Sequence, residues 1–297
     1  MNATSDPRPI VVGYDASETA LVALSWAGRL AGSLGASVTV LHAAETLVYA
    51  QDSSFGYKSP EEEREFAERV AEEGAQRLRS RQPELTVTTM GSRYHATVAL
   101  DEASTTASFI VVGSHGRGRI GAVMLGSTAY AVGGHARCPV IVVRAEDSVL
   151  PGPDHPVVVG ADGSDGSERA LEAAAVLAER WKARLVVVTS WTPPPPDPWN
   201  RPPLGYPSTA ACLEDFLSQA TALNRDVVSR VRSAHEGLSV EEYVVEARPE
   251  DAVMTASADT AMVVLGSRGH GKLAGILLGS TARSVLHQTT KPVMIVH

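Results

Sequence analysis

The chain repeats itself, and that repeat limits what it can fold into. Ile10 to Asp15 reads IVVGYD, and Val157 to Asp162 reads VVVGAD, 147 positions later. The same spacing carries through Leu24 and Leu171, Ala31 and Ala178, and Val40 and Val187. Farther on, VGSHGRGRIGAVMLGST from Val112 to Thr128 is answered by LGSRGHGKLAGILLGST from Leu265 to Thr281, now 153 positions apart. About six residues are therefore inserted between these landmarks. The place for them is TPPPPDPWNRPPLGYPS, Thr192 to Ser208, where proline excludes helix and central strand. Repetition on this scale calls for two copies of one domain, and 297 residues suffice for two cores of ordinary size.

Each half runs through the same elements. An apolar β-branched run (Ile10–Val12; Val157–Val159) leads into Gly-x-Asp-x-Ser and then a helical pattern, with Leu21, Leu24, Ala27 and Leu30 on one face in the first copy. Second strands follow at Val38–Leu41 and Leu185–Val188. The segment PEEEREFAERVAEEGAQRLRS places acids first and arginines last, as the helix dipole favours. Third strands are expected near Leu85–Thr89 and Val240–Val245, fourth strands at Phe109–Val112 and Met262–Leu265, and final strands at Pro139–Val143 and Pro292–Val296. Apolar strands alternating with helices indicate parallel sheets covered on both faces. The fold class is thus α/β: two tandem open α/β sandwiches, each a mostly parallel five-stranded sheet with helices on both faces. The first domain is expected over 1–145 and the second over 155–297, joined by a linker at 146–154 rich in proline and turn formers. The apolar final strands VIVV and VMIV suggest edges that pair between halves or between chains, and hence a homodimer.

Composition narrows the functional classes. A net charge of -8 and a pI near 5.6 argue against generic affinity for nucleic acid. Two cysteines, Cys138 and Cys212, form neither a CxxC nor a cluster with histidine, so buried thiols are expected and not a disulfide scaffold or zinc site. The opening MNATSDPRPIVVG lacks a signal-peptide pattern, and no apolar run reaches the ~20 residues of a membrane span. A cytoplasmic protein with no membrane attachment is expected. Only Lys58, Lys182, Lys272 and Lys291 are lysines, a bias compatible with a GC-rich bacterial genome.

The chemistry lies at strand ends. In open parallel sheets, ligands bind beyond the carboxyl ends of the strands where the strand order reverses. Asp15 and Asp162 follow the first strands, and the glycine loops follow the fourth, so the two motifs can face each other across one cleft. Gly113-x-x-Gly116 and Gly266-x-x-Gly269 allow backbone N–H groups to approach an anion. Gly126-Ser127-Thr128 and Gly279-Ser280-Thr281 open a helix, where Ser or Thr would cap and free N–H groups attract phosphate. Two such donor sets would clamp a polyphosphate. Glycine turns with ordinary capping are the structural alternative, and Asp15 and Asp162 also stand where they would cap the next helix with Ser17 and Ser164.

Three other patterns fail on context. GxGxxG at Gly116, Gly118 and Gly121 follows the fourth strand and lacks the acid about 20 residues on that a dinucleotide site requires. GxxxxGK from Gly266 to Lys272 has Leu273 where a Walker motif needs Ser or Thr. His42, His115, His135, His270 and His287 form no metal-ligand spacing or triad.

With Gly-x-x-Gly, nine intervening residues and Gly-Ser present twice, the chain resembles the universal stress protein family, in its tandem two-domain ATP-binding form. The resemblance implies an adenine nucleotide alpha hydrolase-like fold and two ATP per chain, with magnesium held mainly through phosphate oxygens. It further implies that Asp15 and Asp162 lie by the nucleoside, and that Ala43 and Ser190 offer backbone to the adenine edge. Val112 and Leu265 would pack by the base or ribose beside Gly113 and Gly266. Gly116, Gly126, Ser127 and Thr128 would hold one set of phosphates, and Gly269, Gly279, Ser280 and Thr281 the other. Arg268, between the second loop's glycines, suits a phosphate, whereas the first copy has His115 there, so equal affinity is not expected. The implied role is regulatory, in the stress response, with nucleotide occupancy altering conformation or the binding of a regulatory protein partner. A slow ATPase, a pure interaction protein with degenerate sites and a flavin or electron carrier are the rival readings.

Overall fold

The computed structural model describes residues 8–44, 59–116, 125–144, 148–195, 203, 205–270 and 278–297. It comprises two units, Met1–Leu150 with Pro292–Ile295 and His297, and Pro151–Lys291 with Val296. The glycines and basic residues at 118, 121, 271 and 272, Leu273, most of the proline-rich insertion and residues 145–147 of the linker region lie outside the described residues.

The first unit runs β1 (Ile10–Gly13), α1 (Glu18–Leu34), β2 (Val38–Ala43), α2 (Pro60–Arg81), β3 (Val87–Ser92), α3 (Ala96–Ser104), β4 (Phe109–Gly113), α4 (Ser127–His135) and β5 (Val140–Val143). β1 pairs in parallel with β2 on one side and β4 on the other, β2 pairs with β3, and β4 with β5. The order β3-β2-β1-β4-β5 therefore reverses its direction of winding between β1 and β4. Ile10, Val11 and Val12 are buried, each removing apolar surface worth about 1.5–3 kcal/mol from water. Helices α1 and α2 touch each other over the sheet, as do α3 and α4.

The second unit repeats the plan: β6 (Val157–Gly160), α5 (Asp165–Trp181), β7 (Leu185–Trp191), α6 (Thr209–Ala234), β8 (Val240–Glu246), α7 (Pro249–Ala256), β9 (Met262–Gly266) and α8 (Ser280–Gln288), after which the chain ends in β10 (Val293–Val296). β6 lies between β7 and β9 in parallel pairing, with β8 outside β7. The last strand is divided. Val293, Met294 and Ile295 belong to the first unit, where they pair antiparallel with Val142, Ile141 and Val140 of β5. Val296 belongs to the second unit, where its carbonyl accepts the Ser267 amide at 2.7 Å.

Local chemistry accounts for the helix boundaries. Ser17, Ser59, Ser164 and Ser208 each cap a helix through the side chain, and Ser59 forms a capping box with Glu62. Acids fill the first turn of α2 and Arg79 and Arg81 its last. The third strand of the first unit starts at Val87, two residues after the expected Leu85, because Leu85 N donates to Gln82 O in the turn leaving α2. Cys138 and Cys212 are free and buried. Among the described residues no helix is long and apolar enough to cross a membrane.

Candidate functional site

Each first strand ends in a turn built on its aspartate. Asp15 Oδ1 accepts the Ser17 amide at 2.9 Å, and Asp162 Oδ1 accepts the Ser164 amide at 2.9 Å and the Ser164 hydroxyl at 2.6 Å. The serines in turn cap α1 and α5, so each aspartate is held by the start of the helix it precedes. The residue between is left-handed in both copies, Ala16 at φ 61° and Gly163 at φ 79°. Asp162 is held below the usual carboxylate range. Burial pushes it up, but hydrogen bonds from the Ser164 hydroxyl and amide and from Ser167, with the nearby His270, outweigh that.

The fourth-strand loops meet these turns directly. A Cβ on residue 116 would stand 2.6 Å from Asp15 Oδ2, and one on residue 269 would collide with Asp162 Oδ2. None of the described loop glycines has positive φ. At 116 and 269 the missing Cβ makes room for the aspartate. Gly113 and Gly266 admit the starts of α1 and α5, since their Cβ atoms would come within 2.8 Å of Thr19 backbone and 2.6 Å of Gly166 backbone. Thr19 Oγ1 donates to the His115 carbonyl, a bond the second copy replaces by close approach of Gly166 to the Arg268 carbonyl.

Both loops close alike. Gly126 N donates to Ser114 O at 2.7 Å, and Gly279 N to Ser267 O at 2.8 Å. Here an expectation changes. The capping position of α4 is Gly126 and that of α8 is Gly279, neither with a side-chain cap bond, while Ser127 and Ser280 are the first helical residues. Glycine takes the cap because residue 126 abuts His115, where a Cβ would come within 3.1 Å of its Cα. The first turns of these helices thus keep backbone N–H groups that no capping side chain covers.

In the second unit these pieces enclose a cavity of about 360 Å³ at the switch point between β6 and β9. Asp162, Ser190, Leu265, Gly266, Arg268, Gly269, Gly279, Ser280 and Thr281 all line it. Sequence reasoning missed Ala161, Ser164, Ser167, Val188, Pro249, Val253, His270 and Ala282, which also line it. Pro249 opens α7, whose capping residue Arg248 likewise lacks a side-chain cap bond; a proline at a helix start was the one available signal. His270 Nε2 lies 2.7 Å from the Asp162 carbonyl and so donates to it. In the first unit Asp15 meets Gly116, His115 adjoins Gly126, and Val112 and Ala43 are buried at the strand ends. Ser127 is exposed and Thr128 half-buried at the start of α4.

Comparison with known proteins agrees with the duplication. The universal stress protein family model matches residues 7–144 and again 155–297. Two universal stress proteins of Mycobacterium tuberculosis are 32% and 30% identical, over 98% and 99% of this chain and 98% of each of theirs. One from Mycolicibacterium smegmatis is 31% identical over 97% of this chain and 96% of its own. Among solved structures, a universal stress protein from Archaeoglobus fulgidus shares the fold with a TM-score of 0.71 at 21% identity, covering 98% of both chains.

Proposed function

The chain belongs to the universal stress protein family, with two copies of its domain in tandem, and on that premise we propose that each copy binds ATP and that occupancy regulates the protein's conformation or partner binding. The observation that carries this reading is the second unit's cavity, where Arg268 shares the lining with the uncapped N-termini of α7 and α8. Uncapped helix starts with a nearby guanidinium suit a chain of phosphates. Apolar Val188, Val253 and Leu265 line the same space, which suits a purine and sugar. A volume of about 360 Å³ lies within the range of small-molecule sites, roughly 300–1,000 Å³.

Residue roles follow position. Asp162 would hold the nucleoside, Ser190 and Leu265 the base, and Arg268, Gly269, Gly279, Ser280 and Thr281 the phosphates. Asp15, Ala43, Val112, Gly113, His115, Gly116, Gly126, Ser127 and Thr128 would do the same for a second ATP. Magnesium would arrive with the nucleotide, coordinated through phosphate oxygens. Asp162 is the one carboxylate among the described residues lining the cavity, and its lowered pKa suits binding better than proton abstraction. We therefore place regulation ahead of hydrolysis.

Extraction of nucleotide from the purified protein, followed by calorimetric titration with ATP, ADP and adenosine, tests this. Two molecules of ATP per chain, bound more tightly than adenosine, are expected. No binding of any adenine compound at millimolar concentration would overturn the proposal.

A further inference from the structure

In both copies a buried side chain of the second strand holds the peptide carbonyl just ahead of the strand-end aspartate. In the first unit His42 Nδ1 on β2 donates to the Tyr14 carbonyl at 2.7 Å. In the second, Thr189 occupies the matching position on β7 and donates Oγ1 to the Ala161 carbonyl at 3.0 Å. Threonine is shorter than histidine, and a second residue stands behind it. Asn224 of α6 donates Nδ2 to Thr189 Oγ1 at 3.0 Å and to the Val187 carbonyl at 2.9 Å.

The matching residue of α2 is Ala71. The register is fixed by a repeated contact: Arg79 Nη2 donates to Val87 O at 2.9 Å, and Arg232 Nη2 to Val240 O at 2.7 Å. The four residues His42, Ala71, Thr189 and Asn224 are all buried. One copy thus has a long side chain on the strand and alanine at the matching helix position; the other has a short one and asparagine.

Burying Asn224 is costly unless its bonds repay desolvation, and its Oδ1 has no hydrogen-bond partner among the described residues. Its favourable contribution comes from Nδ2, which it divides between the Val187 carbonyl and the Thr189 hydroxyl that it steers. Two unlike residue sets satisfy one carbonyl, so the carbonyl is the shared requirement. The amides of Tyr14 and Ala161 are already tied to Leu41 O and Val188 O at 2.8 Å each. Those amides belong to the peptides that precede Tyr14 and Ala161; holding the carbonyls orients the next planar peptides, which end on the nitrogens of Asp15 and Asp162, and with them the direction in which each aspartate leaves the strand.

We infer that Thr189 and Asn224 in the second unit, and His42 in the first, are positioning residues that set where Asp162 and Asp15 stand in their sites. The consequence for ATP rests on the function proposed above, but the cause is readable without ligand. The Ser164 amide donates to Asp162 Oδ1 and the Ser17 amide to Asp15 Oδ1, so their hydrogen exchange reports each carboxylate's placement.

Thr189→Val keeps the shape and removes the hydroxyl. In the ligand-free full chain it is expected to speed Ser164 exchange about tenfold relative to Val158 in β6, with Ser17 unchanged. Asn224→Ala is expected to act in the same direction. Thr189→His with Asn224→Ala installs the first unit's arrangement and is expected to restore Ser164 protection. In a Gly116→Val background, where only the second site binds, ATP affinity is expected to fall and recover in step. Unchanged Ser164 exchange in folded Thr189→Val overturns the inference, as does equal acceleration at Ser164 and Val158, which would mean lost packing alone. If the Gly116→Val chain binds no ATP while Ser164 responds as stated, the nucleotide proposal falls and the positioning role stands.

Discussion

Asp15 Oδ2 lies 2.6 Å from the point where a Cβ on residue 116 would stand, and Asp162 meets Gly269 in the same manner. Residues from the first and fourth strand ends are thus fitted to each other, and the glycine is the complement of a carboxylate. The adjacent pairs Gly113 with Thr19 and Gly266 with Gly166 are fitted backbone to backbone. These two kinds of contact give different predictions.

Gly116→Ala and Gly269→Ala should leave the fold intact. The displaced atom is the mobile end of a side chain, and swinging it away forfeits an amide bond worth about 1 kcal/mol. ATP stoichiometry by calorimetry should fall by one site for each substitution. Gly266→Ala meets immovable main chain and should cost about 2–3 kcal/mol, read by urea unfolding.

The two sites should differ in affinity. Arg268 lines the second cavity where the first copy carries His115. Arg268→Ala should weaken ATP at that site about tenfold, and adenosine hardly at all. Arg268→His should bring a two-site isotherm close to a single class.

Ala16 holds a left-handed φ of 61° where the second copy has Gly163. Ala16→Gly should stabilise the first unit by about 1 kcal/mol in denaturant unfolding, since a Cβ is disfavoured there.

His235 at the end of α6 bonds Glu179 Oε2 at 2.9 Å and lies 3.6 Å from Glu172 Oε2. The Glu179 bond raises its pKa above the ordinary 6.5, against burial, with Glu172 assisting. A raised folded pKa means that the stabilisation is complete below the unfolded value and fades as pH climbs through the folded one. The unfolding free-energy difference between the native chain and His235→Gln should therefore shrink as pH rises above the ordinary histidine value of about 6.5. A difference that grows over that range would contradict the assignment.

Burial pushes the Cys138 thiol up to about 11. At pH 8 a thiol reagent should leave Cys138 unmodified in the native chain and label it once urea is added.

Much of this was legible in the sequence because the repeat shows every landmark twice. The succession of strands and helices in each half and the facing of Asp162 and Gly269 follow from motif spacing on a parallel sheet, and Arg268 enters through the family resemblance. The capping role of Gly126 was not legible, because Ser127 beside it has the better intrinsic propensity and only the proximity of His115 decides. Pro249 and Val253 reach the cavity from a helix whose sequence carries no motif. Asn224 could not be singled out either, since its meaning depends on a threonine 35 positions earlier.

The exchange of large and small residues extends beyond one pair. Tyr14, whose ring lies against Gly74, corresponds to Ala161, and Gly74 corresponds to Val227. The two copies have therefore become separate lock-and-key sets and cannot trade helices. Grafting α2 in place of α6 would leave Thr189 without its asparagine, and the reverse graft would drive a valine into the ring of Tyr14. Any recombinant of the halves has to carry each strand together with the helix that grew to fit it.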